Sequence, residues 1–585
     1  MNKQGFSLLE IILAVALFAI FATGAAATIL RGINLNRLGN EYTGAAQYAA
    51  EGIEAARSIK NQAFANLINS VGTGITKTGT IWTFSGASNT FDKYTRTLAI
   101  ADVYRDGSGN VVATGGTLDA LSKKATSTVQ WNFATGKNET FSTISYFTNW
   151  KMPFGKGGLL AYGDGGTTSD ALMYKTFDGS TWSAAAAMAD VDGATTNKYA
   201  RIIRVYSSPT RNEKIAISRH YNGTGQWIYA QVYNGSTWGN VVQLSTWNTT
   251  TFLDVQNFDG TYLANGDFMA VYSDNSSTPK FRTWNGSTWS GQVLMRPLSG
   301  TPYNIVTKAR SGTNEVMFVS IDSASDTSSE YFNGGTYAVN NWTTATDHGT
   351  NTPTSTKRIL DFQWSLNSPT TGGLIYSNSA TDKFMRAKVF VANGAGGGTW
   401  GAQANTIAQT NNLGAMQIDA HPFANEFLAC NKDGGTIPNI ICLKFTFSGS
   451  TATLTSPTNN TISTTTDTGI QTSFAVRYSS DGSSALITYG DGTNVLKYKT
   501  YDSSSSSFVS SPTSVSTTPY TLGNPLRTVR EIPDVNGSTI MTLFTDNNRD
   551  LYSSGWTGSF VPFTQHSING SETTDFWYDF AWDAF

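Results

Sequence analysis

The chain has 585 residues, more than one hydrophobic core ordinarily supports, so at least two domains are expected. Lysine plus arginine (39) nearly balances aspartate plus glutamate (41), and only 14% of residues are charged, which leaves no field of the kind that holds nucleic acid. Cys430 and Cys442 are the only cysteines, which excludes a disulfide-dense scaffold and a cysteine-cluster metal site, while the Gly, Ser, Thr, Asn and aromatic content suits short strands and tight turns.

The chain opens Met1-Asn2-Lys3-Gln4-Gly5-Phe6-Ser7-Leu8-Leu9-Glu10 and is then almost wholly apolar from Ile11 to Leu30. Counted from Phe6 this is roughly 25 residues, against the ~20 that a helix needs to cross a bilayer. A secretory signal cut near Ala25-Ala26-Ala27 and a plain membrane anchor would both account for the apolar run. Neither accounts for Glu10, a carboxylate that is costly near the start of a spanning helix unless something neutralises it.

Lys3-Gln4-Gly5 followed by Phe6-Ser7-Leu8-Leu9-Glu10 resembles the class III signal of type IV pilins and type II secretion pseudopilins. The resemblance implies that a prepilin peptidase cuts after Gly5, whose position admits only a very small side chain, and N-methylates Phe6. It also implies that Glu10 pairs with the Phe6 ammonium of a neighbouring subunit, a buried pair that sets register more than it stabilises. Residues 1–5 are then a leader, and 6–70 a long helix that spans the membrane over 6–30. Beyond the membrane the helical period continues through Tyr42, Ala45, Ala46, Ala49, Ile53 and Ala56. Residues 71–150 are expected to form the small antiparallel pilin-like β domain, from runs such as Thr80–Phe84, Tyr94–Ile100, Val129–Phe133 and a strand ending at Trp150, with a turn at Asp106-Gly107-Ser108-Gly109. The fold class of this part is α+β.

After Trp150 a pattern recurs at about 48 to 58 residues, the spacing of propeller blades. Its marker is Asp178-Gly179-Ser180-Thr181-Trp182, repeated from Asn234 to Trp238 and from Asn285 to Trp289, with looser copies at Tyr337, Trp400, Phe508 and Trp556. Short apolar strands precede the markers, at Leu159–Tyr162, Ile215–Ile217, Phe268–Val271, Val316–Val319, Leu374–Tyr376, Phe427–Ala429, Ala485–Ile487 and Ile540–Leu543. All but the first follow a further alternating run, beginning near Ile202, Phe252, Tyr303, Ile359, Met416, Phe474 and Thr528. One such run, Phe576–Trp582, stands alone at the C-terminus. Residues 151–585 are therefore expected to form an all-β, eight-bladed propeller in which that run completes the first blade; a linear β-solenoid is the alternative.

The marker resembles the aspartate box of sialidases, one residue short, and the blade hairpins of fucose-binding lectin propellers. Arg530-Glu531-Ile532-Pro533 resembles the sialidase Arg-Ile-Pro signature only loosely. His220, His348, His421 and His566 are scattered without metal-ligand spacing, and no nucleophile elbow, phosphate loop or calcium loop stands out. Cys430 and Cys442 flank an apparent hairpin, which leaves open both a cross-strand disulfide and two unpaired thiols in a strand core. The expectation is a minor pilin or pseudopilin that displays its propeller outside the cell for adhesion or recognition of a glycan or protein, and that is not an enzyme. No cofactor or metal is expected. The expected partners are the prepilin peptidase, other pilin or pseudopilin subunits, the membrane and the surface ligand. The alternatives are a secretion pseudopilin with a docking propeller and a membrane-anchored, sialidase-like glycosidase.

Overall fold

A computed structural model describes residues 7–584 except 63, 80, 107–109, 113–115, 149–156, 167–171, 194–197, 248–254, 351–357, 380–381, 406–408, 410, 436–437, 467–472, 517, 524, 535–536 and 574. The chain divides into two compact units, residues 1–152 and 153–585.

Unit 1 begins with one helix, Leu8–Gln62, about 80 Å long at 1.5 Å per residue. It is long and apolar enough to cross a membrane by length and composition. Its first half is exposed all round, Phe18 by 74% and Ile29 by 63%. The second half buries one stripe, Ala45, Ala49, Ile53, Ala56 and Ile59, spaced three and four apart. That stripe packs on a six-stranded antiparallel sheet whose main path runs Ser70–Thr73, Tyr94–Arg105, Thr117–Ala134, Lys137–Thr148. Small residues let the helix approach closely: a Cβ on Gly52 would lie 2.3 Å from Ser127 Oγ. Polar groups fix the register, since Glu41 accepts from Trp131 Nε1 at 2.8 Å and pairs with Lys93 at 2.5 Å. The helix ends at Gln62, short of the boundary expected near residue 70, because Phe64–Asn66 makes one 3-10 turn that brings Leu67 into the core with Ile59 and Ile100. A separate hairpin pairs Ile75–Thr78 with Ile81–Phe84. Trp150 and most of the turn expected at Asp106-Gly107-Ser108-Gly109 lie outside the described residues.

Unit 2 is all β. Its described residues form eight antiparallel sheets of four or five strands, none closed on itself. Seven of them begin at Tyr199–Ser207, Phe258–Tyr262, Pro302–Ala309, Leu360–Trp364, Leu413–Ala420, Phe474–Tyr478 and Leu526–Pro533, and each proceeds strand by strand along the chain. In the eighth, Tyr578–Trp582 pairs with Gly158–Gly163, followed by Leu172–Phe177 and Ala186–Ala187. The first strands lie against one another in that chain order. Tyr578–Trp582 lies against both Leu526–Pro533 and Tyr199–Ser207.

The marker sequences are hairpin ends between third and fourth strands, and one side chain builds each turn. Asp178 Oδ1 accepts from the backbone N–H of Ser180 and Thr181 at 2.8 and 2.7 Å; Asn234 and Asn285 repeat the pattern. The next residue then sits at φ 98°, 93° and 93°, which is why Gly179, Gly235 and Gly286 are glycines. The marker tryptophans pack between sheets: Trp238 lies edge-on to Tyr174 of the preceding sheet at 6.0 Å, and Trp289 Nε1 donates to the Asn240 carbonyl at 2.9 Å. The run expected near Phe252 falls outside the described residues, and the strand there is Phe258–Tyr262.

Candidate functional site

Two regions carry chemistry beyond packing. The first is the start of the helix, where Ser7 N–H donates to Glu10 Oε2 at 3.0 Å and Glu10 N–H donates to Ser7 Oγ at 3.3 Å. This reciprocal pair satisfies two of the N–H groups that a helix start leaves without partners. Gly5 and Phe6 lie outside the described residues.

The second is a cavity of about 250 Å³ in unit 2, lined by residues from all eight sheets and the turns that lead into them. Its acids sit at equivalent places on the first strands and tie each strand to the next. Asp579 Oδ2 accepts from Val205 N–H at 2.9 Å, Asp259 Oδ2 from Thr307 N–H at 2.8 Å, Asp361 Oδ2 from Ile418 N–H at 3.1 Å, and the neighbouring Asp419 Oδ2 from Tyr478 N–H at 2.7 Å. Burial raises the carboxyls of Asp259, Asp419 and Asp579 above their ordinary range. Glu531, 2% exposed, is pushed up by burial to about 8, and its Oε2 has no hydrogen-bond partner. Beside them stand Arg204, Lys308, Arg358, Arg477 and Arg530. Arg530 pairs with Asp579 at 3.3 Å, and Arg204 and Arg530 lie 5.0 and 5.1 Å from the centroid of Phe576.

Residues 1–26 match the prokaryotic N-terminal methylation motif. The chain thus carries a prepilin-type N-terminal motif, and Ser7 and Glu10 fall inside it. No curated protein matches the sequence. Solved structures match at low identity: a fucose-specific lectin from Aleuria aurantia at 12% (63% of this chain, 96% of that one, TM-score 0.32) and the periplasmic gluconolactonase of Pseudomonas aeruginosa at 10% (72% and 99%, 0.36). A puromycin-hydrolysing peptidase of Mycobacterium tuberculosis matches at 11% (62% and 53%, 0.38).

The expectation that the chain is not an enzyme is corrected by these matches, which include a lactonase and a peptidase beside lectins. Contiguous motifs are what a sequence displays directly, whereas a site on a repeat scaffold can be built from side chains of different repeats. The cavity gathers side chains in that way; Arg204, Asp259, Arg358, Asp361, Asp419 and Asp579 are not singled out by the sequence, and Glu531 is only part of the Arg530–Pro533 run. A signal for the acids was present, an Asp directly after a large apolar residue in Phe258-Asp259, Leu360-Asp361, Ile418-Asp419 and Tyr578-Asp579. Cys430 and Cys442, both fully buried and directly opposite in register, are joined by a disulfide in the sheet that begins at Leu413–Ala420. The four histidines do not come together; His220, His348 and His566 each bond a serine hydroxyl of their own sheet.

Proposed function

We propose that the chain is a minor pilin-like subunit that displays an eight-bladed propeller for recognition of a glycan or protein at the cell surface. In this reading residues 1–5 are a leader cut after Gly5, Phe6 is the methylated N-terminus, and the exposed first half of the helix holds the subunit in the membrane before assembly. The observation that carries it is the methylation motif continuous with a helix exposed over its first half and packed on a sheet over its second. The propeller part is supported by the circuit of first-strand contacts, in which the C-terminal strand lies between the last sheet and the sheet begun by Tyr199–Ser207. A large unit of this kind would crowd its neighbours at every position of a filament shaft, which favours a rare or terminal place.

Processing tests the reading first. Intact mass of the protein from its native membrane should correspond to a chain that begins at N-methylated Phe6; a chain beginning at Met1 or Thr28 would refute it. Assembly tests it second. Glu10→Val removes a costly charge and should leave insertion intact while lowering incorporation into filaments severalfold. Ser7→Ala, which removes only the local cap, should leave incorporation unchanged. Immunogold counts on sheared filaments separate the two, and equal labelling for Glu10→Val and the parent would show that Glu10 acts only as a cap.

A further inference from the structure

Around the cavity of unit 2 the acids are committed, and Arg530 pairs with Asp579, whereas Arg204, whose Nη1 donates to the Ile203 carbonyl at 3.1 Å, and Arg358 stand apart from the carboxylates. Asp259, Asp361 and Asp579 each accept a backbone N–H of the next sheet and cannot turn away without freeing it. Arg204 is only 5% exposed, yet among the described residues no carboxylate lies within ion-pair distance of it or of Arg358. Both guanidinium groups instead converge on one neutral atom: Gln256 Oε1 accepts from Arg204 Nη2 and, at 3.3 Å, from Arg358 Nη1. Gln256 is held there by its own amide, which donates to the Phe258 carbonyl at 3.0 Å. An amide oxygen carries only a partial charge, and two guanidinium groups on one such atom repel each other with little to offset it. Two further buried atoms of the lining, Arg530 Nη1 and Glu531 Oε2, have no hydrogen-bond partner. Burial keeps Glu531 protonated at neutral pH, which removes one negative charge and supplies one O–H donor.

We propose that this cavity binds a small oxyanion, a carboxylate or phosphate group on a single sugar or a unit of that size at the end of the ligand, seated between Arg204 and Arg358 in place of the Gln256 amide oxygen. The shared chemistry is a charged acceptor with two or more oxygens, which guanidinium groups bind in a paired, charge-assisted geometry that an amide cannot match. Arg530 and the Glu531 carboxyl complete the donors, and the volume of about 250 Å³ holds one such group with the unit that carries it. The proposal rests on the reading of unit 2 as a recognition module and names the class of ligand.

The test is calorimetry on the full chain in detergent at pH 7 and low salt, titrated with inorganic phosphate, glucuronate and glucose. One or both anions should bind at a single site and glucose should not; which anion gives heat separates the two sources. Arg358→Gln should weaken that binding at least tenfold without moving the melting temperature by more than a few degrees, and Gln256→Ala should tighten it, since it removes the internal competitor. A merely structural role for Gln256 predicts the opposite, so this variant decides the matter even if Arg358→Gln fails to fold. No heat with either anion, glucose binding as strongly, or anion binding that neither variant alters would each overturn the proposal. Glycan-array binding that survives Arg358→Gln would leave the recognition reading standing while this one falls.

Discussion

The protein is expected to be most stable on a plateau between about pH 5 and 6.5, to lose stability steeply below it and more gradually above it, through two different sets of buried groups. On the acid side the groups are His220, His348 and His566. Burial pushes them down to about 4, 3 and 3, so the folded chain keeps all three neutral where the unfolded chain, with values near 6.5, takes up protons. As pH falls below 6.5 each costs about 1.4 kcal/mol per pH unit, or roughly 4 for the three together, until the folded values are reached. On the alkaline side the groups are Glu330 and Glu531, both pushed up by burial to about 8. The folded chain holds two protons there that the unfolded chain has released, so stability falls by about 3 kcal/mol per unit as pH rises from 4.5 toward 8. Between 4.5 and 6.5 the two slopes oppose each other, and the raised carboxyls of Asp259, Asp419 and Asp579 act in the same sense as the glutamates; the balance is the plateau. Below pH 4.5 the histidines act with little opposition. Thermal melts of the full chain in detergent from pH 3.5 to 9 would trace the curve, and Glu531→Gln should remove about half of its alkaline slope. A melting temperature flat from pH 4 to 9, or an alkaline limb unchanged by Glu531→Gln, would refute this account.

What the sequence made legible was local, and what it hid was distributed. The N-terminal motif lies within residues 1–26, and the marker turns are Asp or Asn followed by Gly because one side chain closes each hairpin. Both can be read without knowing what lies next to them in space. The cavity takes only a few residues from each of eight sheets spaced about 50 positions apart, so no window of sequence contains it. The missed strand shows the same limit at smaller scale. Phe258–Tyr262 reads Phe-Asp-Gly-Thr-Tyr, its strand formers interrupted by an Asp-Gly pair that reads as a turn, yet Gly260 is needed because a Cβ there would lie 2.3 Å from Cζ of Phe268 on the paired strand. Gly158 stands in the same relation to Phe580, at 2.1 Å. An aromatic ring laid over a glycine on the adjacent strand offsets a poor propensity, and that compensation is visible only once the pairing is known.

Removing Glu572–Phe585 should have the largest effect of any short deletion, because that segment is bound on three sides. Tyr578–Trp582 pairs residue for residue with Gly158–Tyr162, and Trp577, fully buried, leaves the core with it. Ile203 N–H loses the Phe576 carbonyl at 2.8 Å, and Val205 N–H loses Asp579. On the other flank Trp582 Nε1 no longer reaches the Ile532 carbonyl at 2.9 Å. The ion pairs decide the size of the effect. Arg201, 6% exposed, holds Asp575 at 2.9 Å and Glu572 at 3.3 Å, and Arg219, fully buried, lies 3.6 Å from Asp575. Truncation removes Glu572 and Asp575 from beside these two buried arginines, and breaking a buried pair from one side costs about 3 to 5 kcal/mol. Two such losses, with the exposed strand edges added, approach or exceed the ~5 to 15 kcal/mol that separates a folded domain from its unfolded state. The truncated chain should therefore aggregate or be cut rapidly within residues 158–163 under limited proteolysis. Asp575→Asn, which keeps the strand but removes the charge shared by Arg201 and Arg219, should lower the melting temperature by several degrees without aggregation. If the truncated chain instead melted and resisted protease as the parent does, Tyr578–Trp582 would not be what completes the first sheet, and the ring reading of unit 2 would have to be given up.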